Sequence, residues 1–123
     1  MEQLRRFFGE RPPRIRVELT LLEQEVIGAY HCSTHSHQGC ADRLGVDWVI
    51  MMQRCRWGSE VTITDEQQTA DAVSGLMERG FLEADEQGNR RLTTRGEEAW
   101  RRIRRTYYDH QPLSVVAVKI SPD

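Results

Sequence analysis

Beyond residue 18 the apolar residues Leu19, Leu22, Val26, Ala29 and Tyr30 recur at three- and four-residue intervals. That is the period of one face of an α-helix. Thr20, followed three residues later by Glu23, has the pattern of a capping box at its start. The helix is expected to end near His31. Residues 31–40 (HCSTHSHQGC) are small and polar and read as a loop. Residues 41–57 are dense in apolar side chains: Leu44, Val46, Trp48, Val49, Met51, Met52, Cys55 and Trp57. This density predicts a buried helix with an early turn at Gly45. Gly58 and Ser59 break the chain, and Val61 and Ile63, alternating with Thr62 and Thr64, predict a short strand.

The second half is more sharply punctuated. Thr64 is a candidate N-cap, with Asp65 and Glu66 in the first turn, where the helix dipole favours acids. Ala70, Val73, Leu76 and Met77 share one helical face, and Gly80 stands where a helix C-terminus needs a glycine. Phe81, Leu82 and Glu83 open a strand, residues 85–89 form a polar turn, and Arg90, Arg91, Leu92 and Thr93 return. Thr94 is expected to cap a last helix over residues 95–108, with Ala99, Trp100, Ile103 and Tyr107 on one side. Residues 113–120 read as a strand. Before all of this, residues 1–17 are rich in Arg and Pro, and Pro12-Pro13 opposes a helix, so they read as an extended arm.

The segment from Val73 to Trp100 runs V-S-G-L-M-E-R-G-F-L-E, then the polar turn, then R-R-L-T-T-R-G-E-E-A-W. It resembles the recognition helix, wing and following helix of winged helix-turn-helix proteins, especially MarR- and PadR-type bacterial transcriptional regulators. Leu76, Gly80, Phe81, Leu82, Leu92, Thr93 and Gly96 carry the likeness, within 28 of 123 residues. The resemblance implies a mainly α (α+β) winged helix with a two- or three-stranded wing sheet and a C-terminal strand. It implies a non-catalytic, homodimeric DNA-binding protein. The candidate DNA-contacting residues are Gln67, Gln68, Ser74, Arg79, Arg90, Arg91 and Arg95. Amides and a hydroxyl can read base edges, while guanidinium groups hold phosphates. Either Thr93 or Thr94 would satisfy the open amides of the last helix. The corresponding division is an arm over residues 1–17, a winged-helix domain over 18–110, and a C-terminal strand or tail over 111–123.

A second register competes. Ala41, Leu44, Gly45 and Val46 are ordered as in a bacterial helix-turn-helix, and Asp47, Gln53, Arg54 and Arg56 would lie on its second helix. Residues 48–52 (W-V-I-M-M) are too apolar for a helix that must present a polar face, so a core or dimer role suits them better. An exposed strand over residues 115–120 would likewise invite edge pairing with a second copy.

Composition adds one constraint and charge another. At 38% apolar residues the chain is lean, which also suggests a core completed by a partner. Seventeen bases against 19 acids exclude a uniformly basic nucleic-acid coat, so any such role rests on local patches. Sixteen of the bases are arginine, and they are segregated. The first 16 residues carry +3, and more arginines lie on the hairpin and last helix. Residues 65–80 hold Asp65, Glu66, Asp71 and Glu78 against Arg79 alone, a net −3. This acidic helix suits a basic protein partner, so a winged-helix interaction module that binds no DNA is the alternative function.

Cys32-x2-His35 and His37-x2-Cys40 have the short spacing that brings two ligands to one ion. Cys32, His35, His37 and Cys40 are therefore candidate zinc ligands, with Cys55 available to a smaller set. The alternative is a polar loop with no metal and no cofactor. No glycine-rich phosphate loop, G-x-S-x-G or HExxH supports catalysis. Three cysteines make no disulfide framework, and no stretch suits a membrane span or signal peptide, so a cytoplasmic location is expected.

Overall fold

Thr20 and Glu23 cap a helix reciprocally: the Glu23 amide donates to the Thr20 hydroxyl, and the Thr20 amide donates to the Glu23 carboxylate at 2.8 Å. The element they open is the centre of the molecule. The computed structural model describes residues 15–37, 39–57, 66–109 and 115–120. They form β1 (Ile15–Thr20), α1 (Leu21–His35), α2 (Cys40–Leu44), α3 (Val46–Trp57), α4 (Glu66–Glu78), β2 (Leu82–Ala84), β3 (Arg90–Leu92), α5 (Thr94–Asp109) and β4 (Val115–Ile120). The architecture is mainly helical α+β. β1 pairs antiparallel with β4, from Ile15 opposite Ile120 to Thr20 opposite Val115. A separate hairpin pairs Leu82 with Leu92 and Ala84 with Arg90.

Val26, Ile27 and Tyr30 of α1 meet Trp48 and Val49 of α3, Val73 and Leu76 of α4, Phe81, Leu82 and Leu92 at the hairpin base, and Ala99, Trp100 and Ile103 of α5. All are buried, at about 1.5–3 kcal/mol for each large side chain. Gly28 lets α5 approach α1 closely, because a Cβ there would stand 2.8 Å from Cζ3 of Trp100. At the end of α4, Gly80 has φ 82°, and the Gly80 and Phe81 amides bond Met77 O (3.1 Å) and Leu76 O (2.9 Å). This is a Schellman motif, and it turns the chain into the hairpin. Thr93, not Thr94, caps α5: its hydroxyl accepts from the Gly96 amide at 3.1 Å and donates to Gly80 O.

Several expectations change. Helix α1 continues four residues past His31. The polar residues read as a loop are satisfied inside the helix and across it. Thr34 bonds back to Tyr30 O at 3.1 Å, and Ser33 turns inward to accept the Ala41 amide at 2.9 Å. Residues 15–17, assigned to an arm, belong to β1. Leu19, counted in the helical period, lies with Glu18 and Thr20 at the end of that strand, and Thr20 caps the helix as expected. β4 pairs along one edge with β1 of the same chain. The turn at Gly45 is present, splitting α2 from α3. Of residues 48–52, Trp48 and Val49 are buried in the chain's own core, and Met51 is the exposed one. The Trp48 indole donates to Ala29 O at 2.8 Å, fixing α3 to α1. The remainder of the arm (residues 1–14), the expected strand at 61–63, the Thr64 cap with Asp65, and residues 111–114 lie outside the described residues.

Candidate functional site

Helix α4 buries Thr69, Val73 and Leu76 and turns the opposite face to solvent. Glu66, Gln67, Gln68, Asp71, Ser74 and Glu78 are all exposed there. Three of the six are carboxylates. Gln67 donates to Asp71 at 2.9 Å, one helical turn away, so part of its hydrogen-bonding capacity is used within the helix. The neighbouring hairpin adds exposed Glu83 and Glu86.

The arginines expected to meet phosphates are engaged locally. Arg79 pairs with the Glu23 carboxylate, donates to Glu18 O at 3.0 Å, and lies over the Phe81 ring. It fastens the end of α4 to the β1–α1 junction. Arg95 donates to Arg79 O at 3.0 Å and lies on the same ring, 5.9 Å from its centre. Arg91 pairs with Asp85 at 3.0 Å. Desolvation acts to raise the Asp85 pKa, but the Asn89 and Gln87 amides and the Arg91 charge together outweigh it and hold the carboxyl below its ordinary value. Arg90 is half-buried and its charge acts on the Tyr30 phenol. Burial pushes the Tyr30 phenol up, and Arg90 opposes part of that rise. With Arg91 it lines a shallow cavity of about 170 Å³ shared with Ser33, Thr34, Gly39 and Asp42.

The second cluster lies where α1 meets α5. His31 and His35 are one turn apart, their ring centres separated by 4.4 Å. His31 Nδ1 is 2.9 Å from Glu97 Oε2, and His35 Nε2 is 3.1 Å from Glu97 Oε1. Glu97 is held at the start of α5, where its amide bonds Thr93 O at 2.9 Å. The buried Trp100 ring lies 5.3 Å from His31 and backs the site. The helices run antiparallel: Gly28 meets Trp100, and His31 and His35, further along α1, meet Glu97, earlier on α5.

The expected ligand set is thus divided. Of Cys32, His35, His37 and Cys40, only His35 belongs to a group of three ligating side chains brought together among the described residues, and its companions are His31 and Glu97. The His37 ring turns to Trp48, 5.5 Å away, and Cys32 and Cys40 pack beside the core. Because α1 continues to His35, the face shared by residues 31 and 35 prevails over the spacing of residues 32 and 35. His31, which stands in the same His/Cys cluster, was left out of the expected ligand set, and Glu97 was missed. The pair H-x-x-x-H was a usable signal once residues 31–35 were helical, whereas Glu97 is 62 residues from His35.

Comparison with protein-family models, curated proteins and solved structures finds no match to this chain. Among the described residues, no helix is long and apolar enough to cross a membrane.

Proposed function

We propose that the chain is a winged-helix interaction module, with α4 in the recognition position and the β2–β3 hairpin as its wing, that docks a basic protein surface. The observation that carries this reading is the distribution of charge on α4. Glu66, Asp71 and Glu78 stand in solvent, while Arg79 is turned back onto Glu23 and Glu18. A duplex requires cations where this face offers carboxylates, since lysine and arginine supply most of the affinity for phosphates. A partner with arginine or lysine residues is complementary to it, and such complementarity raises the association rate and excludes wrong partners.

The test is an NMR titration with a short arginine-rich peptide. Amides of Gln67, Asp71 and Ser74 should shift at ~50 mM salt and return towards their starting positions at higher salt. A variant carrying Glu66→Gln, Asp71→Asn and Glu78→Gln should lose the response. Shifts that persist in that variant would overturn the reading.

A second reading, a DNA-binding transcriptional regulator, draws support from the exposed Arg101, Arg102 and Arg104 of α5 and from exposed Gln67, Gln68 and Ser74. It requires phosphate contacts from α5 to outweigh the acidic α4 face. Binding of duplex DNA distinguishes the two.

A further inference from the structure

Two imidazoles and a carboxylate converge at the α1–α5 contact, and their ligating atoms all lie within 4.8 Å of one another. We propose that His31, His35 and Glu97 form a binding site for a divalent transition-metal ion of the zinc class. The donor set is suited to such an ion. Imidazole nitrogen and carboxylate oxygen are both zinc ligands, and three protein ligands leave a fourth position for water. Two histidines four residues apart on one helix form a chelating pair, as their side chains project from the same face.

The ligand atoms are near enough for side-chain rotation to bring them onto one ion. A tetrahedral ion with bonds of about 2.0–2.1 Å places its ligand atoms about 3.3 Å apart. His31 stands 2.9 Å from one Glu97 oxygen and His35 3.1 Å from the other, and with one atom taken from each residue the ligand atoms lie within 4.8 Å of one another. Any wider gap closes by rotation of His35, whose side chain is 51% exposed. His31 and Glu97 are each about one-quarter exposed and are the anchored members. Without an ion, each carboxylate oxygen faces one imidazole nitrogen, and the metal replaces these contacts.

The ion would join the helix that carries the core to the helix that follows the hairpin. Thr93 and Gly96, which set the start of α5, lie just before Glu97, so the metal would fix the hairpin base relative to α1. This site does not depend on what α4 binds.

Zinc chloride titrated calorimetrically into protein freed of any affinity tag should show one equivalent bound per chain. Cobalt should give visible d–d bands without a thiolate charge-transfer band. His35→Asn and Glu97→Gln, checked for native helicity by circular dichroism, should each weaken zinc binding about tenfold or more. Zinc should raise the unfolding temperature of the wild type but not of those variants, and Cys32→Ser with Cys40→Ser should behave as wild type. No binding at ~1 mM zinc, unchanged affinity in His35→Asn, or a thiolate band abolished by the cysteine variants would overturn the site.

Discussion

Replacing Gly96 with alanine sets helix propensity against packing. Gly96 lies inside α5, where exchange of glycine for alanine is worth about 1 kcal/mol of helix stability on propensity alone. A Cβ at this position, however, would stand 2.3 Å from the carbonyl oxygen of Phe81 and 3.0 Å from Cδ2 of Leu92. Relief requires that the backbone at Phe81 withdraw by about 1 Å to reach ordinary contact distance. That carbonyl accepts the Thr93 amide at 3.0 Å, which positions the α5 cap. Overpacking costs about 1–3 kcal/mol and the disturbed hydrogen bond about 1 kcal/mol more. Set against the propensity gain, the expected loss is about 1–3 kcal/mol. Gly75 of α4 is the control, because nothing lies within 4 Å of the Cβ it would acquire. Gly75→Ala should be stabilising by about 0.5–1 kcal/mol. Urea unfolding followed by circular dichroism measures both, with an unchanged slope marking a change in stability alone. If Gly96→Ala unfolds at the same or a higher urea concentration than wild type, the close approach of α5 to Phe81 is wrong.

Trp48→Phe removes the indole donor to Ala29 O and some core volume, and should cost about 1–3 kcal/mol in the same assay. Asp85 has a folded pKa below its ordinary value of 3.8, so its contribution is present above that pH and is lost as pH falls below it. Asp85→Ala should lower the unfolding temperature at neutral pH and flatten its decline below about pH 4. Tyr30 has the opposite sign. Its pKa is raised above 10.0, so stability should be lost as pH rises beyond that value, and thermal unfolding across the alkaline range should show a decline that Tyr30→Phe reduces.

Local chemistry was legible along the chain, and long-range pairing was not. The Thr20–Glu23 box, the Gly45 turn, the glycine end of α4 and the hairpin all follow from residues a few positions apart, each satisfying backbone groups within its own segment. β1 was hidden because its alternation begins inside an arginine- and proline-rich lead and its partner, β4, is about 100 residues away. The end of α1 was hidden for another reason. Cys32 to His35 are poor helix signals in isolation, and Ser33 becomes a good helical residue only when Ala41 returns to meet it. The candidate metal ligands combine both difficulties, since they require the longer α1 and the docking of α5 through Gly28 and Trp100. The acidity of α4 was legible, but the engagement of Arg79 with Glu23 and Glu18 was not. That contact leaves exposed Glu66, Asp71 and Glu78 on a face whose one base is drawn away.

The most direct test of the proposed role is the anisotropy of a labelled mixed-sequence duplex titrated with the full chain at ~50 mM salt. The acidic α4 face predicts no binding, and any change on neutralising Glu66, Asp71 and Glu78 should be an increase in the signal. Binding by the wild type that falls steeply between ~50 and ~200 mM salt, and that weakens on Ser74→Ala and Gln68→Ala, would contradict it.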